Sequence, residues 1–153
     1  MQMTGSDQIV IFTLDEQRYG IPLGAVERVV RIVEITPLPG SHGFIHGVIN
    51  VQGEILPVLN LRRRFGLPER PVELSDQLII IRCATHSFVL ITDTACEVRE
   101  CTERMRTEVA EILPDLPFLA GIARLPDGLI LLQNPEMLFS RCESEAIDEL
   151  IGA

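Results

Sequence analysis

The stretch FIHGVINVQGEILPVLNLRRRF at residues 44–65 decides the fold, because it returns in altered form as FLAGIARLPDGLILLQNPEMLF at residues 118–139. The two segments align at one offset of 74 residues, without a gap. The aligned pairs are Gly47 and Gly121, Val48 and Ile122, Ile55 and Leu129, and Phe65 and Phe139. Upstream, YGIP and VERV, which start at positions 19 and 26, are echoed by FVLI and ACEV at an offset of 69. The sequence therefore predicts two related halves, and such a repeat restricts the architecture more than residue propensities do.

Composition excludes several classes of function. The chain has 153 residues, 46% of them apolar, which is enough to build a buried core. Its net charge of −9 argues against nucleic acid as a partner, because that affinity comes largely from clustered basic residues. All 13 basic residues are arginine. Without lysine the chain lacks the phosphate-binding lysine of nucleotide-binding loops and of kinases. Neither NTPase nor kinase activity is therefore expected.

No targeting or membrane-spanning segment is predicted. Residues 1–7 lack a basic start followed by an apolar run, and the longest uncharged run, 35–53, contains two prolines and four glycines. We therefore expect a cytoplasmic protein without direct membrane insertion. The four cysteines, Cys83, Cys96, Cys101 and Cys142, form no C-x-x-C pair, so free thiols are expected rather than a zinc or redox site.

Short apolar segments separated by turn residues predict strands along most of the chain. In each half the strand signals end in a hairpin: 47–51 with 54–60 across Gln52-Gly53, and 122–124 with 129–132. Residues 8–14 and 18–22 are predicted to form a further hairpin. The other predicted strands are 26–36, 77–82, 87–92 and 95–101, and 102–117 is predicted to be a long loop. Residues 61–65 are predicted to form one helical turn that ends at Gly66.

A C-terminal helix over 135–150 is predicted to follow, with Asn134 as its cap and Pro135 in its first position. About five strands per half favour two small closed barrels, which leave no exposed edges. The expected fold is therefore all-β with a C-terminal helix, in a single domain over 8–150. Its first barrel would span about 16–75, and its second about 76–135 together with the N-terminal strand.

The side chains that could carry chemistry have simpler interpretations. His42 and His46 have a metal-ligand spacing, but the neighbouring glycines disfavour the helix that such a site would need. Asp93 has no second acid at a spacing that would place the two together, so a turn carboxylate is expected. The basic run 62–64 is either a solvated helix end or a contact for an acidic partner, and the sequence leaves both open. No catalytic, metal-binding or cofactor-binding residues are predicted.

The order of the apolar motifs resembles the CheW-like domain of bacterial chemosensory systems over nearly the whole chain. The matching elements are F-T-L at 12–14, Tyr19, Ile21, Val26, I-T-P-L-P at 35–39, G-V-I-N at 47–50, Gly53, P-V at 57–58, Leu61, L-I-T-D at 90–93, E-V at 97–98 and G-I-A at 121–123, up to Leu138. No single motif is specific, but their order and spacing are. The resemblance implies two five-stranded SH3-like barrels and no catalytic activity or cofactor.

What the resemblance implies in function is an adaptor that couples the cytoplasmic tip of methyl-accepting chemoreceptors to the regulatory domain of a chemotaxis histidine kinase in two-component signalling. The receptor-binding groove carries over by position to Val26, Arg28, Val29, Gly47, Asn50, Gln52 and Gly53. Apolar residues at the barrel ends would contact the kinase, and Ile45, Leu61 and Phe65 are expected there.

Two positions in this groove depart from the family pattern. The family commonly has V-x-E-V and N-x-R-G, whereas this chain has Arg28 for the acid and Gln52 for the base. Since both changed, we expect the two side chains to face each other and to be joined by an arginine–amide hydrogen bond.

The sequence leaves two alternative functions open. One is an adaptor of an array that controls pili or gene expression, and the other is a hydrolase that uses Cys83 or Cys96 with His86 or His46.

Overall fold

The computed structural model describes residues 6–39, 44–84, 86–107 and 119–139. Within them the chain is mostly β-structure, in eleven strands with two short α-helices and two 3₁₀ turns. The strands are β1 Ser6–Leu14, β2 Gln17–Pro22, β3 Val26–Arg31, β4 Ile45–Val51, β5 Glu54–Leu59, β6 Gln77–Arg82, β7 Ser87–Thr92, β8 Thr94–Thr102, β9 Arg106–Thr107, β10 Leu119–Leu125 and β11 Gly128–Gln133. The helices are α1 Leu61–Phe65 and α2 Pro135–Leu138, and the 3₁₀ turns are Leu23–Ala25 and Glu103–Met105.

The predicted hairpins are confirmed. β1 pairs with β2, β4 with β5 and β10 with β11, each in antiparallel register. Helix α1 begins after Asn60, whose side chain accepts a hydrogen bond from the Arg63 amide, and ends at Gly66 in a left-handed conformation. Asn134 caps α2 in the same way through the Glu136 amide, with Pro135 in the first position.

The strands form two sheets that exchange segments between the halves of the chain. One sheet has the order β8-β1-β2-β11-β10-β9, and the other has the order β3-β6-β7-β5-β4. The hairpin β1–β2 from the first half thus lies among strands of the second half, and β6–β7 makes the reverse exchange. The predicted barrel ranges of about 16–75 and 76–135 therefore do not coincide with the sheets, because a repeat shows which segments are alike but not which of them pair.

The exchange follows the repeat closely. β2 pairs with β11 in parallel, with Gly20 opposite Leu132, and β7 pairs with β5 in parallel, with Val89 opposite Val58. The offsets of 69 and 74 relate these two pairs residue by residue. Each half therefore contributes its hairpin to the other half's sheet in the same register.

Each sheet is joined across its two outer strands at equivalent positions. Thr36, which follows β3, forms a β-bridge with Val48 in β4, through two backbone hydrogen bonds of 2.9 Å. In the other sheet β9 pairs with β10 so that Thr107 lies opposite Ile122, and β9 is linked to β8 by the turn Glu103–Met105. These contacts connect the outer strands of each sheet, in keeping with an all-β fold of two related barrels.

The largest core lies between the two sheets. Phe12, Tyr19 and Ile21 from one sheet meet Ile81 and Phe88 from the other, and all five are buried. On the face that points away from this core, each sheet carries a smaller buried apolar cluster of its own. In β6, residues 79 and 81 face the main core, while residues 78 and 80 face the smaller cluster of the same sheet. Both faces of the strand are therefore buried, which explains its unbroken apolar sequence.

Two further predictions are only partly covered by the described residues. Residues 102–117, expected to be a loop, contain a 3₁₀ turn and strand β9 up to Thr107, and residues 108–118 lie outside the described part. Of the C-terminal helix expected over 135–150, α2 is described to Leu138, and residues 140–153 lie outside it. No helix in the described ranges has the length and apolar character needed to cross a membrane.

Candidate functional site

A polar recess of about 300 Å³ opens between strand β3 and the turn that joins β4 to β5. Arg28 lines it from β3 and Gln52 lines it from the turn. The remaining lining residues are Glu27, Val51, Glu54 and Arg82. The structure thus brings Arg28 and Gln52 to one surface, as expected from the sequence, although they belong to different hairpins.

The turn that forms one wall of the recess is held by its own residues. Gln52 and Gly53 both have positive φ, 51° and 88°, as a tight two-residue hairpin requires. The Asn50 side-chain oxygen accepts a hydrogen bond of 2.8 Å from the Gly53 amide. Asn50, Gln52 and Gly53 are exposed, so this wall presents a fixed polar surface.

Arg82, at the end of β6, links both walls of the recess. Its guanidinium donates to Glu54 at 2.7 and 2.9 Å and to Glu27 at 3.0 and 3.4 Å. A further hydrogen bond of 3.1 Å runs to the Ser87 hydroxyl. The hydrogen bonds that Arg82 donates lower the pKa of Glu54, and donation to Glu54 and Glu27 raises the pKa of Arg82. The sequence analysis missed Arg82, because β6 enters this sheet only through the exchange between halves.

Arg28 makes weaker contacts. Its nearest carboxylate oxygen is Glu27 Oε2, at 4.0 Å from Nε, which is too long for a hydrogen bond. That Nε atom is buried and has no hydrogen-bond partner among the described residues. The hydrogen bond predicted between the Arg28 and Gln52 side chains is not formed in the structure. The two side chains share the recess without pairing.

The other residues assigned to the groove have structural roles. Val26 and Val29 are half-buried and pack against the main core. Gly47 is buried, and a side chain there would collide with the Thr36 carbonyl oxygen at the bridge that joins β4 to the segment after β3. Gly121 meets Thr107 in the same way in the other sheet, where an added Cβ would lie 2.9 Å from the Thr107 oxygen.

The three residues expected at the kinase contact lie together in the main core. Ile45 and Leu61 are 7% and 1% exposed, so neither presents an open surface. Phe65 is half-buried and stacks on Tyr19, with ring centroids 5.0 Å apart. Kinase contact at these positions stays a prediction, and Phe65 is the member of the set with accessible surface.

A cluster of arginines and aspartates, also missed from the sequence, ties α1 to turns in both sheets. Arg62 donates to Asp15 at 2.7 Å and to Asp93 at 2.8 and 3.0 Å. Arg70 joins Asp93 at 2.6 Å to the buried Asp76 at 2.7 Å. Burial by itself would raise the pKa of Asp93, but hydrogen bonds from the Asp15 amide, Arg62 and Arg70 lower it. Asp93 therefore lies in the turn that ends β7, as predicted, and its carboxylate is also engaged in ion pairs that the sequence did not indicate.

The basic run at 62–64 finds partners inside the chain. Beside the pairs of Arg62, Arg63 forms an ion pair of 3.0 Å with Glu69. The Arg64 guanidinium lies over the Phe44 ring, 4.2 Å from its centroid. Intramolecular contacts of this kind were in neither of the two interpretations left open, a solvated helix end and a contact for an acidic partner.

The described thiols do not resemble nucleophiles. Burial, followed by the charge of Glu136, raises the pKa of Cys83 to about 12, whereas a nucleophilic cysteine needs a lowered pKa. Cys101 is buried, and the Cys96 side chain and Cys142 lie outside the described part. Within that part no group of three or more His, Cys, Asp or Glu side chains is placed to hold a metal ion, and His42 lies outside it.

Comparison with known proteins agrees with the fold and with the motif order. The model of the CheW-like domain matches residues 8–143. The crystal structure of scaffolding protein TtCheW from Thermoanaerobacter tengcongensis superposes with a TM-score of 0.80 at 33% identity, covering 88% of this chain and 92% of that one. The chemotaxis protein CheW of Treponema pallidum is 24% identical over 149 residues, 94% of this chain and 88% of the relative. That of Thermotoga maritima is 38% identical over 96 residues, 63% of each chain.

The two sheets with exchanged hairpins place this chain in the class of all-β domains built from two related barrels. More specifically, the chain belongs to the CheW-like family.

Proposed function

We propose that this chain is a chemotaxis adaptor that couples the cytoplasmic tip of methyl-accepting chemoreceptors to the regulatory domain of a histidine kinase. The observation that carries the proposal is the match, over 88% of the chain, to a protein described as a scaffold. An adaptor of this kind has no chemistry of its own. The raised pKa of Cys83 speaks against the hydrolase alternative. The named relatives are chemotaxis proteins, so they do not favour a pilus or gene-regulation output.

The receptor would bind at the recess. Arg28 and the turn formed by Asn50, Gln52 and Gly53 offer exposed polar groups on a rigid sheet, and Val26 and Val29 support strand β3 from below. Gly47 would contribute indirectly, because its missing side chain permits the bridge between Thr36 and Val48. Contacts of this kind suit a helical hairpin, which lays one face into a groove.

The kinase would bind at another end of the fold, near Phe65. The side chains of Ile45 and Leu61 support this region from the core, while Phe65 is partly accessible. Two separate surfaces would let one adaptor hold both partners at once. The expected location is the cytoplasm at receptor arrays, with no nucleic acid among the partners because the net charge is −9.

Pairwise binding tests this proposal. The purified chain is titrated against the kinase regulatory domain and against a soluble receptor hairpin, both from its own organism. Saturable binding to both is expected, and binding of one partner should leave the affinity for the other within about threefold if the surfaces are separate. Competition between the two partners would refute the assignment to two surfaces, and binding to neither would refute the adaptor function.

A further inference from the structure

The charges of the recess are unequally satisfied. Arg82 donates five hydrogen bonds of 2.7 to 3.4 Å, which go to Glu54, Glu27 and Ser87. Arg28 lines the same recess, and its side chain is 39% exposed. Among the described residues it has no hydrogen bond, and its nearest carboxylate oxygen lies 4.0 Å away.

The buried Nε of Arg28 makes this arrangement unfavourable in the free protein. A buried donor without an acceptor carries a desolvation cost. Because the Nε atom is covered, an incoming group reaches the guanidinium through the exposed part of the side chain. A guanidinium presents several donors in a planar fork, which a carboxylate matches with two parallel hydrogen bonds. The group that best pairs with Arg28 is therefore a carboxylate, and none of the described residues places one within hydrogen-bonding distance of it.

The recess offers less to a basic partner. A lysine or arginine from a partner would have to compete with Arg82 for Glu54 and Glu27, both of which already accept hydrogen bonds from it. Gln52, on the facing wall, carries no charge and neither neutralises nor repels an incoming acid. The charged group of the recess that is left without a close partner among the described residues is thus the positive guanidinium of Arg28.

We infer that Arg28 is a specificity-determining residue that binds a carboxylate side chain of the receptor hairpin. The inference rests on the proposed function, because it names the chemistry by which that partner is recognised. Arg82 acts as a positioning residue, since by holding Glu27 it keeps the nearest internal acid from pairing closely with Arg28. Receptors without an acid at the contacting position would bind more weakly.

The affinity of the full-length chain for its receptor hairpin, measured by titration calorimetry, tests the inference. The variants are Arg28→Glu, which reverses the charge, and Arg28→Lys, which keeps the charge but loses the fork. Arg31→Glu, at the exposed end of the same strand, makes the same change in net charge outside the recess and is the matched control. Circular dichroism and a urea melt establish that each variant is folded.

We expect Arg28→Glu to weaken binding by at least about tenfold, Arg28→Lys by less, and Arg31→Glu by less than about twofold. An acid-to-arginine change in the hairpin should restore binding to Arg28→Glu. If Arg28→Glu is folded and binds within twofold of the wild type, or if Arg31→Glu weakens binding equally, the inference is overturned while the adaptor function stands. Absence of receptor binding by the wild-type chain would overturn both.

Discussion

Arg62 and Asp93 form an ion pair in which a single guanidinium nitrogen, Arg62 Nη2, donates to both Asp93 oxygens, at 2.8 and 3.0 Å. Arg62 lies in helix α1 and Asp93 in the turn between β7 and β8, and Arg62 also reaches Asp15 in the turn between β1 and β2. The β1–β2 turn lies in the six-stranded sheet, whereas the β7–β8 turn crosses from the five-stranded sheet to the six-stranded one. The pair therefore joins a helix to both barrels at the place where the chain exchanges its hairpins.

Loss of the Arg62 side chain should destabilise the fold. Arg62→Ala is expected to lower the free energy of unfolding by about 2 kcal/mol, less than for an isolated buried charge because Arg70 still pairs with Asp93. Urea denaturation measures the change. Arg63→Ala is the control, since its pair with Glu69 is about half exposed and should matter by less than about 1 kcal/mol. Equal losses for the two variants would contradict the assignment.

The same carboxylate predicts a particular response to acid. The pKa of Asp93 is lower in the folded chain than its ordinary value, so its contribution is complete above pH of about 4 and is lost as the pH falls through the folded-state pKa. Wild type should therefore exceed Asp93→Asn in unfolding free energy by a constant amount from pH 7 to about 5, and this difference should shrink below about pH 4. Urea melts across this range provide the test, and a difference that widened in acid would have the wrong sign.

The contacts that connect the outer strands within each sheet require glycine at two equivalent positions. Gly47→Ala should cost about 2–3 kcal/mol of unfolding free energy, because its Cβ would collide with the backbone of Thr36. Gly121→Ala should cost less, since its Cβ would lie 2.9 Å from the Thr107 oxygen. Gly24→Ala meets nothing within 4 Å and serves as the control. Chemical denaturation of the three variants should rank them in this order, and a Gly24 variant as unstable as the Gly47 variant would argue against the collision.

Cys83 should react slowly with alkylating agents. With its pKa raised to about 12, it holds little thiolate at pH 8, and alkylation in the native chain should be at least about a hundredfold slower than in urea. Peptide mapping by mass spectrometry separates Cys83 from the other cysteines. Glu136→Gln removes one cause of the raised pKa and should accelerate the reaction. Rapid alkylation of Cys83 in the native wild type would instead revive the thiol-dependent alternative.

Much of the secondary structure could be predicted because its turn and cap signals involve residues that are close together in sequence. The two-residue turn at Gln52 and Gly53, the helix end at Gly66 and the cap at Asn134 are short-range signals, and each was found where it was expected. The cap at Asn60 was not predicted. The parallel pairing of Val58 with Val89 could not be predicted in this way. Such a pairing depends on which of two similar hairpins fits each sheet, and the offset alone treats them as equivalent.

The candidate site shows the same division. The sequence indicated that Arg28 and Gln52 would share a surface, because their changes relative to the family pattern occurred together, and the recess places them there. Arg82 was missed because β6 is remote in sequence from both residues and enters the sheet by exchange. The acids that pair with Arg62 were missed for a similar reason, since Asp15 and Asp93 approach it only after the two sheets have assembled.

The most direct test of the central claim is co-sedimentation of the kinase with receptor-bearing vesicles, with and without this chain. If the chain couples the two partners, the kinase should pellet with the vesicles only when the chain is present, in an amount that saturates as the chain is added. Arg28→Glu should reduce this recruitment while leaving binding to the isolated kinase regulatory domain unchanged. Kinase that pellets equally well without the chain, or that stays in solution at saturating chain, would contradict the account.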